Sequence, residues 1–443
     1  MNIITKSIAA AVLASSCASA QDLDAAAPPQ EHPIFLVGAT VHTVSGDTIE
    51  NGVVSFSEGK IDIVGVASDI MPRISLGPET EIIDLSGKHI YPGLIDSVTR
   101  LGLAEITAVR AMNDYNEVGD MTPEVRAYVS VNPDSTVIPT AQSNGVLTVG
   151  VFPTGGTIPG RASVIRTNGW TNEDMAVSQD AGVIINWPRM RASANTSDIA
   201  RFNRSRDERI AKIDTLIDQT ISYAASHDKV DLQLEAMTTI LPSDDQNPVY
   251  INASDYDQIT SAVNWAISRE LRPIIVGARD AHLCTDLLVS TNTPVIVGGT
   301  YNFPKRNDAA YDQPYTLPAK LQAAGVQWSL TMSSRHAHER NLPEAAGIAV
   351  AHGLELGLTT QAALRAITLS AAENLGIADK LGSIENGKLA TLIITDGDIL
   401  DVTTIVEGAY IDGREIDLSN KQTDLRDKYR EKYRQLDMIE SDD

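Results

Sequence analysis

Cysteine is almost absent from this chain, with 2 in 443 residues, and that scarcity excludes a disulfide-framed scaffold. Positive charge is also short, since 35 Lys and Arg stand against 58 Asp and Glu for a formal charge of −23. Such a surface repels nucleic-acid phosphates and anionic membranes, and no Lys/Arg block offsets it, so a nucleic-acid partner is not expected. Beyond the N-terminus no run approaches the roughly 20 apolar residues of a transmembrane segment. What is present is ordinary for a folded protein: 43% hydrophobic residues, 21% charged residues, 30 Gly and 20 Pro. That composition excludes disordered, collagen-like and coiled-coil chains. The length suits a large barrel or two ordinary domains.

Met1 to Ala20 carries Lys6, an apolar run from Ile8 to Leu13 and the small-residue site Ala18-Ser19-Ala20. This reads as a cleaved secretory signal peptide, which implies an exported chain, periplasmic or secreted. Cys17 would leave with it. Lipid anchoring at Cys17 is the alternative, but Ala14-Ser15-Ser16 lacks the usual aliphatic residue. Cys284 then remains alone and reads as a small buried apolar residue.

Residues 21–33 form an Ala/Pro/acidic tether. From Ile34 short β-rich runs follow, such as Phe35-Leu-Val, Gly52-Val-Val-Ser-Phe and Lys60-Ile-Asp-Ile-Val. After Tyr91-Pro92-Gly93 strand-like runs alternate with amphipathic helical stretches; Ile274-Ile-Val, Trp328-Ser-Leu and the helix Tyr256 to Glu270 are examples. Repeated strand then helix over residues 91–376 predicts an α/β architecture, a (β/α)8 TIM barrel. Short strands return after it, so residues 34–90 and 377–418 are expected to form a composite β-sandwich from both flanks. Residues 419–443 predict a C-terminal helix with Leu425, Tyr429, Tyr433 and Leu436 on one face, either docked on its own domain or forming a homodimer contact.

Three segments carry a family likeness: Glu58-Gly-Lys-Ile-Asp-Ile-Val-Gly65, Ile83-Asp-Leu-Ser-Gly-Lys-His-Ile-Tyr-Pro-Gly-Leu-Ile-Asp96 and Leu381-Gly-Ser-Ile-Glu-Asn-Gly-Lys-Leu-Ala390. In order and separation they resemble the sheet-to-barrel entry and barrel-to-sheet return of the amidohydrolase superfamily. Glu117-Val-Gly-Asp120, Val131-Asn-Pro-Asp134, Gly145-Val-Leu-Thr148 and Asn186-Trp-Pro188 resemble its exported imidazolonepropionase-like members. The resemblance implies hydrolysis of non-peptide carbon–nitrogen bonds by water activated on one or two divalent metals at the C-terminal ends of the barrel strands.

At the positions where the resemblance implies metal ligands, this chain has Val98, Arg100, Asn252, Gly277 and Ser333. Neutral amide and hydroxyl oxygens bind zinc far more weakly than imidazole or carboxylate, and Arg100 adds a permanent positive charge. No cofactor is therefore expected at the family positions. A relocated zinc site could draw on His336 and His338, with His282 or Glu339 as a third ligand. Arg100, Arg279 and Arg335 follow strand ends and could clamp a small anionic ligand, or each could pair with a local acid such as Asp96, Asp255 or Asp280. Metal-free hydrolysis by a carboxylate pair, Asp96 with Glu235 or Asp255, is a further route. Three classes of function stay open: a degenerate amidohydrolase that binds a small anion or a partner, an active hydrolase, and a structural protein of the cell envelope.

Overall fold

The structure is a computed structural model and describes residues 25–193, 195–226, 229–306, 308–332 and 337–439. The expected signal peptide, Cys17, Ser333, Arg335 and His336 lie outside the described residues.

Both flanks of the chain enter one continuous sheet. Its first strands are β1 (Ile34–Val41), β2 (Ile49–Ser57), β3 (Lys60–Val66), β4 (Glu81–Asp84) and β5 (His89–Pro92). β1 pairs antiparallel with β2 and parallel with β5, and β4 pairs β1 off the main path. The return segment adds β14 (Leu392–Thr395), β15 (Val406–Ile411) and β16 (Arg414–Glu415), with β14 antiparallel to β5 in the register Leu392↔Pro92. The sheet curls over its own core of Leu36, Val54, Phe56, Ile90 and Leu392. Its far edge meets the return segment where Ile61 N–H donates to the Lys388 carbonyl at 2.9 Å.

The second sheet is the barrel: β6 (Leu94–Thr99), β7 (Val146–Val151), β8 (Gly160–Arg166), β9 (Ala176–Asn186), β10 (Val249–Ala253), β11 (Pro273–Gly277), β12 (Val295–Gly298) and β13 (Trp328–Thr331). Side-chain bonds bring its two edges together: Thr331 Oγ1 accepts from Val98 N–H at 3.2 Å and the Ser97 and Ser329 hydroxyls lie 3.3 Å apart. Inside it, Ile95, Ile184, Tyr250, Ile274, Val276 and Ile296 form one apolar cluster. Each such side chain contributes about 1.5–3 kcal/mol when fully buried. Tyr250 keeps its hydroxyl satisfied by donating to the Asn374 carbonyl at 2.7 Å.

The barrel departs from a strict strand–helix repeat at one place, because β8 runs antiparallel to both β7 and β9. A parallel return needs a crossover of a dozen or more residues. The link 152–159 is shorter, and it bends through Gly155 and Gly156, whose φ values are +92° and +56°. A hairpin forms there in place of a helix. Elsewhere the helices Tyr256–Ile267, Gln313–Ala323 and Leu342–Gly353 surround the strands, and the long helix Ile199–Ala225 packs Ile213, Leu216, Ile217 and Tyr223 inward.

The C-terminal helix spans Lys421–Gln435, and Asn420 starts it with a capping box. The expectation that it docks on its own domain fails beyond its first turn, since none of its residues is buried. Asn420 Nδ2 donates to Ser143 Oγ at 3.0 Å and anchors the start. Among the described residues no helix is long and apolar enough to cross a membrane.

Candidate functional site

Strand β6 carries Asp96 into the closed wall of the barrel, where its side chain is 0% exposed. The Thr331 hydroxyl donates to Asp96 Oδ1, and Met332 N–H lies 3.3 Å from Oδ1 and 3.4 Å from Oδ2. Burial pushes the Asp96 carboxyl up to about 8 despite those bonds, and the charge of Glu339 adds to the rise. Glu339 sits in the single turn Glu339–Asn341 and is itself buried, which pushes its carboxyl up to about 7. Its Oε2 has no hydrogen-bond partner among the described residues.

The acid that acts on Asp96 is therefore Glu339. Glu235 is an exposed residue of the helix Leu232–Thr238, where it accepts the Tyr223 hydroxyl at 2.8 Å. Asp255 caps the helix Tyr256–Ile267, accepting from Gln258 N–H at 3.0 Å while Gln258 Oε1 accepts from Asp255 N–H at 3.4 Å. The segment Asp255-Tyr-Asp-Gln258 has the spacing of such a box, and the placed Gln258 side chain decides it. Glu339 carries no motif as a carboxylate partner; its burial singles it out.

The ligand positions implied by the resemblance hold a different chemistry. Val98 packs into the apolar barrel interior. Arg100 lays its guanidinium over the Tyr115 ring at 4.4 Å, and its Nε is buried without a partner among the described residues. Asn252 Nδ2 donates to Asn186 Oδ1 at 2.7 Å, and Asn186 Nδ2 donates to the carbonyls of Gly155 and Gly156 at 3.0 and 2.9 Å. Gly277 adopts φ +93°, and a Cβ there would stand 3.2 Å from Ser254 Oγ. A backbone in that region disfavours any side chain, imidazole included. Zinc is held by imidazole, thiolate or carboxylate, and these four residues supply none of them. They do not fit a divalent cation.

His282 is half-buried, and burial with the nearby Lys320 charge holds its imidazole below the usual range. His338 is exposed at the entrance to the Glu339 turn. Among the described residues no group of three or more His, Cys, Asp or Glu is placed to hold a metal ion. Cys284 is buried, and burial pushes its thiol up to about 11.

Beside the ends of β10, β11 and β12 lies a cleft of about 180 Å³, lined among others by Ser254, Gly277, Arg279, Gly298, Asn302 and Lys305. Arg279 Nε stands 3.4 Å from Asp280, and Arg306 stands 3.7 Å from the same buried carboxylate and 2.7 Å from Asp308. The pairing of Arg279 with Asp280 is thus present, and Lys305 adds a cation to the cleft wall. Lys305 and Arg306 have no periodic or motif signal in the sequence, because they belong to the irregular segment after β12.

The sequence profile of the amidohydrolase family matches residues 281–420. Amidohydrolase tasK of Hapsidospora irregularis is 24% identical over 388 residues, covering 77% of this chain. The chain spans 38% of that relative's length. Among solved structures, an amidohydrolase from Thermotoga maritima MSB8 superposes with a TM-score of 0.74 at 25% identity, covering 87% of this chain and 99% of that one. An adenosine deaminase from Xanthomonas campestris with bound zinc shares the fold at a TM-score of 0.52 and 17% identity, covering 93% of this chain and 100% of that one. The chain thus carries an amidohydrolase-family domain over residues 281–420, set within the fold of the amidohydrolase superfamily.

Proposed function

We propose that this protein keeps the amidohydrolase barrel without the metal–water reaction and binds a small anionic molecule at the barrel mouth. The observation that carries the reading is Gly277: the strand end where a ligand is implied has a left-handed backbone that opens onto the cleft. Val98, Arg100 and Asn252 support it, one packed in the core, one cationic and one committed to a neighbouring amide.

The cleft has the complementary chemistry. Arg279 and Lys305 line it, while Asp280 and Asp308 neutralise part of the local positive charge. Guanidinium groups take carboxylates or phosphates through paired N–H donors, and partly enclosed sites strengthen such bonds. In a chain of formal charge −23 a cationic wall is a local exception that would select anions.

A thermal-unfolding titration with phosphate and with citrate tests this. Saturating anion should raise the melting temperature, since a ligand that binds the folded state stabilises it by mass action. Arg279→Ala should abolish the rise, and Arg100→Ala, whose guanidinium stacks on Tyr115 outside the cleft lining, should keep it. No rise in the parent protein, or an equal rise in Arg279→Ala, contradicts the proposal.

A further inference from the structure

The helix Lys421–Gln435 is held at its first turn and buries no residue along its length. At 1.5 Å per residue it extends about 22 Å. Isolated helices of roughly 12–15 residues are marginal in water, and most helices in proteins draw their stability from packing an apolar face. This helix has such a face without cover among the described residues: Leu425 is 42% exposed, Tyr429 49%, Tyr433 41% and Leu436 57%. Met438 and Ile439, just past its end, are exposed as well.

The charges around that face identify what fits it. With each residue turned by about 100°, Lys421, Lys428 and Lys432 border the stripe on one side and Arg426 and Arg430 on the other. Asp427 engages Arg426 of that second border at 2.7 Å, and Glu431 lies toward the back with Arg434, which it engages at 2.7 Å, so the Lys side is the more strongly cationic of the two. The Lys432 ammonium lies 5.7 Å from the Tyr429 ring and 5.8 Å from the Tyr433 ring, so the cationic border reaches over the aromatic face. Two such stripes laid together would oppose like charges along both borders. A surface rich in carboxylates is the complement, and this chain, at −23, is such a surface once its basic helix is set apart.

We propose that the helix Lys421–Gln435 is an association arm, whose Leu425–Tyr429–Tyr433–Leu436 face docks on the acidic body of a second copy of this chain. Reciprocal docking of two arms gives a closed two-fold dimer, in which each stripe is buried once and each basic border meets carboxylates. Because the contact is steered by opposite charges at the surface, it weakens with salt.

Sedimentation velocity of the full chain at roughly 0.05 M and 0.5 M salt tests the arm. The low-salt sample should be dimeric, with a dissociation constant at least about tenfold higher in high salt. Tyr429→Glu with Tyr433→Glu should be monomeric and should melt where the parent melts when diluted to the monomer, because neither ring is buried in one copy. Arg434→Ala, on the far side of the helix, should leave the dimer intact. A monomer at the highest soluble concentration in low salt overturns the proposal, as does a dimer untouched by the two Tyr substitutions. Co-sedimentation of a monomeric chain with phosphatidylglycerol vesicles, lost in the double variant, would assign the stripe to lipid and overturn it equally.

Discussion

Asn252 donates its side-chain amide to Asn186 Oδ1 at 2.7 Å, joining the ends of two adjacent barrel strands. Asn186 in turn donates to the carbonyls of Gly155 and Gly156, so two neutral amides tie down the hairpin that replaces a barrel helix. A position where the resemblance implies a metal ligand therefore serves as a structural clasp.

Removing the middle of that clasp should be felt as a loss of stability. Asn186→Ala leaves the Gly155 carbonyl and the Asn252 amide without their partner, while Arg209 still reaches the Gly156 carbonyl at 3.2 Å. The expected cost is about 0.5–1.5 kcal/mol, because the Gly155 carbonyl is exposed to water and the other groups are only part-buried, read from the midpoint of urea unfolding. An unchanged midpoint contradicts the assignment.

Gly277 resists substitution for a backbone reason. At φ +93°, with Ser254 Oγ 3.2 Å from an added Cβ, Gly277→Ala should cost about 1–2 kcal/mol. Gly277→His should cost at least as much and bring no metal with it. The same unfolding measurement and a zinc titration of the variant check both statements.

The acids at the barrel wall predict a direction for pH. Asp96 is pushed from 3.8 up to about 8, so the folded chain holds that proton more tightly than the unfolded one. Its contribution to stability is complete below about pH 4 and is lost progressively as pH rises through about 8, the sign for a raised acid. Glu339, raised to about 7, acts in the same direction. Asp96→Asn should flatten the decline between those limits in urea unfolding measured as a function of pH. A wild-type stability that rises over this window because of Asp96 contradicts the placement.

Much of the frame was legible in local sequence. The entry segment Ile83 to Asp96 and the return segment Leu381 to Ala390 locate where the chain passes between sheet and barrel, and β4, β5, β6 and the approach to β14 lie there. The direction of β8 was not legible: Pro153 to Gly160 reads as a turn, but an apolar run has the same pattern in either direction. Asp255 shows a second limit, since an acid before a helix is equally a catalytic candidate or a cap until its Gln258 partner is placed. Glu235 and Glu339 show a third. Both are acids near helix starts, and only long-range packing distinguishes the exposed partner of Tyr223 from the buried partner of Asp96. Arg279 was legible as a strand-end cation, whereas Lys305 enters the cleft through an irregular loop with no period to read.

The most direct test of the account is elemental analysis of the full chain, purified without chelator and then exposed to excess zinc and desalted. Zinc, manganese and iron should each come out well below one atom per chain, because Val98, Arg100, Asn252 and Gly277 offer no donors suited to a dication. One tightly held dication per chain, retained through desalting, would contradict it.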